Sequence, residues 1–281
     1  MPKVIATDLD GTLFYPKKTV RMISSQNRKF LKKFIDDGNR VVIVSGRNHY
    51  FSNKVVEKIG RPVDIIGCNS AYIKINGQIV KETFFPKKRI KEILGEITKD
   101  FHPMGYFLMS KDENFVINKK GVRNIVGFVY FCYYTAQGVY REPYYQSEEL
   151  FVKEINKGHV YKIMVFIGAG KKRKARAKEI NKILRERYGE EIESSWIGEF
   201  IELTPKQCSK ANGIKFYLDY LNIDYDNVMV VGDSGNDISM FTEFPDHSFC
   251  MEHASPTVKK YAKHTIRRFS DLEDYLDIKE K

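Results

Sequence analysis

Two aspartates one residue apart, Asp8 and Asp10, follow the apolar run Val4-Ile5-Ala6 and precede Gly11-Thr12. In an extended backbone, residues two apart project to the same side, so both carboxylates can face one small volume. Gly11 permits a sharp turn that few other residues allow. Paired acids at the carboxyl end of a strand suit metal binding, nucleophilic attack and proton transfer, and open α/β sheets place their ligands at that end. Taken alone, the segment reads equally as an Asp-Gly turn after an edge strand.

Two distant segments shift that balance. Val228-Met229-Val230-Val231 is a second short apolar run, and it ends in Gly232-Asp233-Ser234-Gly235-Asn236-Asp237. A helix–loop–helix calcium site is excluded there, because that loop requires Asp or Asn at its third position and Gly at its sixth, where Gly235 and Ile238 stand. The other segment is Val41–Val44 running into Ser45-Gly46-Arg47. A hydroxyl and a bare backbone amide just past a strand can cradle an anion.

These loops need elements to hold them. Ser24 or Ser25 can cap a helix with Phe30, Leu31, Phe34 and Ile35 on one face, stopped at Gly38. The strand Val41–Val44 follows, then a helix using Val55, Val56 and Ile59 that ends at Gly60. Asp64–Cys68 reads as a third strand. Asn76-Gly77 joins Tyr72–Ile75 to Gln78–Val80 as a two-residue hairpin. This order implies a Rossmann-like parallel sheet with helices on both faces.

From about Phe84 the pattern changes. A helical stripe (Ile90, Ile93, Leu94, Ile97) precedes strands Tyr106–Met109 and Phe115–Ile117, the tyrosine-rich stretch Tyr130–Tyr145 and strand Val160–Ile167. A helix around Ile180, Ile183 and Leu184 leads to strands near Trp196 and at Phe200–Leu203. The expectation is an α/β core formed by residues 1–82 and 202–281, with an α+β cap domain of 83–201 inserted between its halves. The core resumes with a helix bearing Ile214, Tyr217, Leu218 and Leu221.

The 42% hydrophobic content, with charges interleaved, fits a folded protein rather than disorder. No apolar stretch approaches the ~18 residues of a membrane span, and Asp8 and Asp10 interrupt the run that a leader would need. The four cysteines are scattered with no Cys-x-x-Cys pair, which favours reduced thiols and a cytoplasmic setting. Of the net charge of +11, residues 86–196 carry +8, with 22 Lys and Arg against 14 Asp and Glu. A basic module beside an acidic site attracts phosphorylated metabolites; nucleic acid is the lesser reading. The densest run, Lys171-Lys172-Arg173-Lys174, follows Gly168-Ala169-Gly170 but lacks the phosphate-loop spacing. It reads as a solvated helix face.

In combination these segments resemble the haloacid dehalogenase-like hydrolase superfamily, Cof-type phosphatase branch. Asp8-Leu9-Asp10-Gly11-Thr12 matches its first motif, Ser45-Gly46-Arg47 its second, Lys210 the lysine of its third, and Gly232-Asp233 through Asn236-Asp237 its fourth. Departures lie at Cys68-Asn69-Ser70-Ala71, Met251-Glu252-His253-Ala254 and Ser270-Asp271-Leu272-Glu273, and none removes a catalytic group. The resemblance implies a Mg²⁺-dependent phosphatase for small phosphorylated metabolites, sugar phosphates first. Asp8 is then the nucleophile and Asp10 the acid and base. An Asp8 oxygen, the Asp10 carbonyl and Asp233 are the metal ligands, with Asp237 and Asn236 behind them. Ser45, the Gly46 amide and Lys210 meet the phosphate. By itself Lys210 reads as a surface lysine near a helix start, and Arg47 is given no catalytic role. The cap is expected to supply specificity by closing over the core.

Physical necessity supports the cations. At 4 Å and an effective dielectric of 20, each pair of like charges costs about 4 kcal/mol, so a carboxylate meeting a phosphate dianion faces roughly 8 kcal/mol of repulsion. An enzymatic alternative is a phosphomutase or phosphosugar-specific phosphatase. A non-enzymatic one is a nucleic-acid-binding protein with an idle site, against which the intact acid, hydroxyl and lysine set weighs. Tyr72, Tyr130–Tyr145 and Trp196 can stack on a ligand or simply pack.

Overall fold

A computed structural model of the chain describes residues 3–16, 22–112, 116–118 and 145–276. They divide into two compact units, Met1–Arg47 with Phe51–Val80 and Lys210–Lys281, and Asn48–Tyr50 with Lys81–Ser209. In chain order the elements up to the crossing are β1 (Val4–Thr7), α1 (Ser25–Asp36), β2 (Arg40–Val44), α2 (His49–Ile59), β3 (Asp64–Gly67), β4 (Tyr72–Ile75) and β5 (Gln78–Glu82). The inserted unit holds α3 (Lys87–Phe101), β6 (Gly105–Ser110), β7 (Val116–Ile117), β8 (Tyr145–Gln146), α4 (Glu148–Lys157), β9 (Val160–Phe166), α5 (Lys171–Tyr188), β10 (Ile192–Ile197) and β11 (Phe200–Pro205). The chain then returns through α6 (Lys210–Leu221), β12 (Val228–Gly232), α7 (Ile238–Glu243), β13 (Ser248–Met251), α8 (Pro256–Lys259) and β14 (His264–Ile266).

The first unit carries an eight-stranded sheet in the order β14-β13-β12-β1-β2-β3-β4-β5. From β14 to β3 every neighbouring pair is parallel, and β4 runs antiparallel to β3. Complete burial of β1 and β12 explains why these strands read as nearly continuous apolar runs. Val4, Ala6, Val42 and Val44 pack with Ile214, Tyr217 and Leu218 of α6 and Met240 and Phe241 of α7. Ile5, Val41 and Ile43, which point the other way, are equally buried. Helix α1, with Phe30, Leu31 and Phe34 buried, packs on β2.

Local signals match this layout. Ser24 accepts the Asn27 N–H at 3.1 Å and caps α1, while Gly38 leaves it at φ +86°. Asn76 and Gly77 both take positive φ, +50° and +81°, as a tight hairpin turn demands. Strands β13 and β14 are not foreseen, because four- and three-residue strands are too short to show a period.

The inserted unit carries a six-stranded sheet, β10-β11-β9-β6-β7-β8, antiparallel except for β7 beside β8. Ile90 and Ile93 of α3, Phe151 of α4 and Ile180 and Leu184 of α5 pack with Leu108, Ile163, Val165, Ile201 and Leu203 of its strands. The return to the first unit falls at Lys210 rather than at 202. Strand β11 pairs with β9 on one side and β10 on the other, so a boundary at 202 would cut a fully hydrogen-bonded strand. Of the expected strand Phe115–Ile117, Val116 and Ile117 form β7. Phe115, Cys132 and the tyrosine-rich stretch before Tyr145 lie outside the described residues. Helix α4 was not expected beside that stretch; Ser147 starts it by accepting the Leu150 N–H at 3.1 Å.

The basic run opens α5 and Lys171 through Lys174 are all exposed, whereas Ala177, Ile180, Leu184 and Tyr188 are buried. That spacing is the apolar stripe of a surface helix, with its cations on the wet side. Tyr72 is fully buried, and Trp196, under Lys178 at 5.9 Å, packs against the inserted unit's core.

At the amino ends of the parallel strands, Asp64 ties three elements together. Its Oδ2 accepts Arg40 Nη2 and the Tyr217 hydroxyl, each at 2.7 Å, and its Oδ1 accepts the Asn76 N–H at 2.8 Å. Burial, and then Asp64 beside it, holds the Tyr217 phenol well above its ordinary range. Asp64→Ala strands these donors and is expected to lower unfolding stability by about 2–3 kcal/mol. A shift of the urea midpoint checks this; an unchanged midpoint would show the network to be inert.

Candidate active site

Three neighbouring parallel strands, β12, β1 and β2, end at one edge of the first unit's sheet, and each is followed directly by a polar loop. From β1 the chain proceeds outward to β2 and β3 on one side and returns as β12 to β14 on the other. That makes the end of β1 the switch point of the sheet, where such folds open a crevice. Asp8, Ser45 and Asp233 are the first residues past these three strands.

After β1 the chain turns through Leu9–Leu13, with the Leu13 N–H bonding Asp8 O at 3.3 Å and the Phe14 N–H bonding Leu9 O at 3.0 Å. Gly11 takes φ +89°, and a Cβ there would lie 2.3 Å from Asp233 Oδ2. Glycine therefore serves twice, for the turn and for the close approach of the second acidic loop. The Thr12 hydroxyl donates to Asp233 Oδ1 at 3.3 Å, joining the two loops. A Cβ on Gly232 would likewise meet the Asp237 carboxyl, at 2.4 Å.

Lys210, the first residue of α6, is not a surface lysine. It is 1% exposed, and its Nζ donates to Asp8 Oδ1 and to Asp237 Oδ1, each at 2.6 Å. Burial alone pushes an ammonium toward deprotonation; Asp237 and Asp8 outweigh it and hold Lys210 above its ordinary value, fully charged. Asp8 is 6% exposed. Burial pushes its carboxyl well up, Lys210 pulls it down, and Asp237, Asp233 and Asp10 push it up again. The second oxygen of Asp237 accepts the N–H groups of Asp233 and Ser234, both at 2.9 Å, and the Ser234 hydroxyl at 3.2 Å. The Asp237 side chain thus shapes the loop that carries Asp233. Asn236 accepts the Ser234 hydroxyl at 2.7 Å.

Among the described residues, Asp8, Asp233 and Asp237 each offer a carboxylate oxygen within 4.8 Å of the others. The Asp10 carboxylate is not in that group. Same-side projection from Asp8 assumed an extended chain, whereas the backbone turns at Leu9 and carries Asp10 outward. There its side chain is 44% exposed and pairs with Arg47 Nε at 2.9 Å. Ser45 is buried, and its hydroxyl accepts the Arg47 N–H at 3.2 Å, so the hydrogen it can donate is its own. Gly46 sits between them.

Two contributors escaped the sequence reading. Arg47, read as a structural or loop contact with no catalytic role, pairs with Asp10. His253 approaches Asp233 Oδ2 at 3.4 Å and stacks on Tyr15, ring centroids 4.1 Å apart. Its loop follows β13, which ends at the same edge of the sheet as β12; the sequence marks His253 as a departure from the family pattern but does not show its contact with Asp233. The atypical turn after β3 also matters. Cys68, Asn69 and Ser70 take φ of +48°, +56° and +80° in succession. The turn's N–H groups bond Arg47 O (from Cys68, 3.0 Å) and Ser45 O (from Asn69, 3.1 Å), fastening the hydroxyl loop to the next strand exit.

This fold is shared with hydrolases of known structure. A haloacid dehalogenase-like hydrolase from Bacillus subtilis superposes with a TM-score of 0.77 at 22% identity, covering 98% of this chain and 99% of that one. The haloacid dehalogenase-like hydrolase family matches residues 5–271, and the chain belongs to it. It is a phosphatase of that family. It is similar to two phosphatases of 5-amino-6-(5-phospho-D-ribitylamino)uracil. YbjI of Escherichia coli is 26% identical over 99% of this chain and 95% of its own. YwtE of Bacillus subtilis is 25% identical over 92% and 90%.

Gly11→Ala is expected to cost about 1–2 kcal/mol of stability, since an L side chain is forced into the left-handed region. Displacement of Asp233 should lower turnover at least ~100-fold, the scale of an ångström misplacement. Parallel denaturation and turnover assays check both. Full activity would mean that the loops do not need their close approach.

Proposed function

We propose that the enzyme is a Mg²⁺-dependent phosphatase of small phosphorylated metabolites and that it works through an aspartyl phosphate on Asp8. The observation carrying this is the buried Asp8 carboxylate at the exit of β1, fixed by Lys210 and faced by Asp233. Three carboxylates around one ammonium leave an excess of negative charge, and burial makes that excess costly. All-oxygen donors with such an excess suit a hard divalent ion such as Mg²⁺. An Asp8 oxygen, Asp233 and the Asp10 carbonyl would hold it. Bound there, it supplies positive charge that offsets the repulsion between Asp8 and the dianion.

The residues' own parts follow. Asp8 attacks phosphorus while the bond to the leaving oxygen breaks, and Asp10 donates the proton that lets the alcohol depart. Water then attacks the phosphorus of the aspartyl phosphate, and Asp10 accepts its proton, returning Asp8 and inorganic phosphate. The Ser45 hydroxyl and Gly46 amide donate to the phosphoryl oxygens, and Lys210 aims Asp8 and offsets part of the cost of ionising it. Asp237 and Asn236 hold the Asp233 loop in shape.

Both uracil-derivative phosphatases named above remove phosphate from a polyol chain, which supports sugar and polyol phosphates as the substrate class. The described cysteines, Cys68, Cys208 and Cys250, are buried free thiols, in keeping with a cytoplasmic setting.

Asp8→Asn should abolish hydrolysis of an aryl phosphate while leaving the circular-dichroism spectrum intact; normal turnover by that variant would refute the nucleophile. Mg²⁺ at about 100 times its Kd should stabilise the wild-type fold by roughly 2.7 kcal/mol, seen as a rise in Tm that Asp233→Asn reduces. A Tm indifferent to Mg²⁺ would remove the ion from the site.

A further inference from the structure

Resting on the acid and base assignment of Asp10 made above, we propose that Arg47 is the positioning residue of that carboxylate. A side chain as exposed as that of Asp10 has no packing to select its rotamer, so its direction depends on whatever it bonds. Here Arg47 Nε donates to Asp10 Oδ2 at 2.9 Å. Engaging Oδ2 makes Oδ1 the oxygen that meets the leaving group.

Arg47 can hold its partner because it is itself held at both ends. Its backbone N–H bonds the Ser45 hydroxyl at 3.2 Å, and its carbonyl accepts the Cys68 N–H at 3.0 Å and faces Cys68 Sγ at 3.7 Å. The guanidinium lies over the ring of fully buried Phe51, 4.8 Å from its centroid. A planar guanidinium stacked on a ring has few ways to turn, which a lysine ammonium would not share. The strained turn at Cys68–Ser70 therefore reaches Asp10 in two steps, through the Arg47 backbone and then its side chain. One residue couples the loop that donates to phosphoryl oxygens with the group that handles the leaving oxygen. The Asp10 end of the pair is solvated, so the ion pair itself adds little to folding stability, and the part of Arg47 in the reaction is read in catalysis.

The test compares Arg47→Ala, Arg47→Lys, Asp10→Asn and the Arg47→Ala/Asp10→Asn double variant on two esters. One is p-nitrophenyl phosphate, whose leaving group departs without a proton. The other is the fastest primary alkyl ester from a panel of sugar and polyol phosphates. Arg47→Ala should lower kcat/KM, which reports formation of the aspartyl phosphate, about 10- to 100-fold on the alkyl ester and only a few-fold on the aryl ester. Added guanidinium should restore part of the loss, and Arg47→Lys should fall between. In the Asp10→Asn background, Arg47→Ala should add nothing.

An equal loss of kcat/KM on both esters, or a loss in the Asp10→Asn background as large as in the wild type, would overturn the proposal and put Arg47 on the phosphate itself. Full alkyl-ester turnover by Asp10→Asn would instead sink the acid and base assignment, and this inference with it. Retained activity in Asp8→Asn would sink the mechanism as a whole.

Discussion

A lysine ammonium buried between two carboxylates is the interaction on which the rest of this site depends. Removing Lys210 from water costs several kcal/mol, and the two 2.6 Å bonds to Asp8 and Asp237 are what keep it charged there. Those partners come from loops on different strands, so the ion pair exists only when β1 and β12 are neighbours and α6 packs across them. Its charge is still one against several. Burial first, and then this surplus, makes Asp8 resist ionisation without further positive charge nearby, and the surplus is the reason an all-oxygen crevice of this kind suits a divalent ion.

The sheet supplies the convergence at small cost. Parallel neighbours deliver their carboxyl ends to a single edge; Gly11 lets the two acidic loops approach more closely than any side chain would permit, and Gly232 leaves room for Asp237 to fold back within its own loop. The strain needed to shape the crevice sits one strand further out, in three consecutive left-handed residues at 68–70. Such conformations persist only when the surroundings overdetermine them. Here the hydrogen bonds back to Ser45 and Arg47 do so, and strain at the edge is exchanged for rigidity at the hydroxyl loop.

Asp8, Ser45 and Asp233 were legible in the sequence because a buried strand announces itself as an apolar run and its exit as an abrupt change to polar residues. Lys210 was legible only through the company it keeps; by itself it sits where a surface lysine would. Its depth is set by long-range packing of α6 on the sheet, which local pattern does not record. The i,i+2 argument placed Asp8 and Asp10 in one volume but did not give them different company: the turn at Leu9 and Gly11 leaves the Asp10 carboxylate outside the three-carboxylate group and paired with Arg47. Short β13 hid the neighbourhood of His253. The paired strand β11 moved the end of the insertion from 202 to Lys210, because hydrogen-bonded register rather than hydrophobic pattern defines that boundary.

The amino-acid order by itself determined the alternation of strands and helices, the change of pattern at the insertion and the chemical types available at each strand exit. These are local matters of periodicity, turn residues and charge. Only the tertiary structure decided that Lys210 is buried, that Asp237 shapes the loop of Asp233, and that Arg47 reaches Asp10. The first and the last depend on residues far apart in the chain meeting at the sheet edge, while the Asp237 contact is local but needs the folded loop to form.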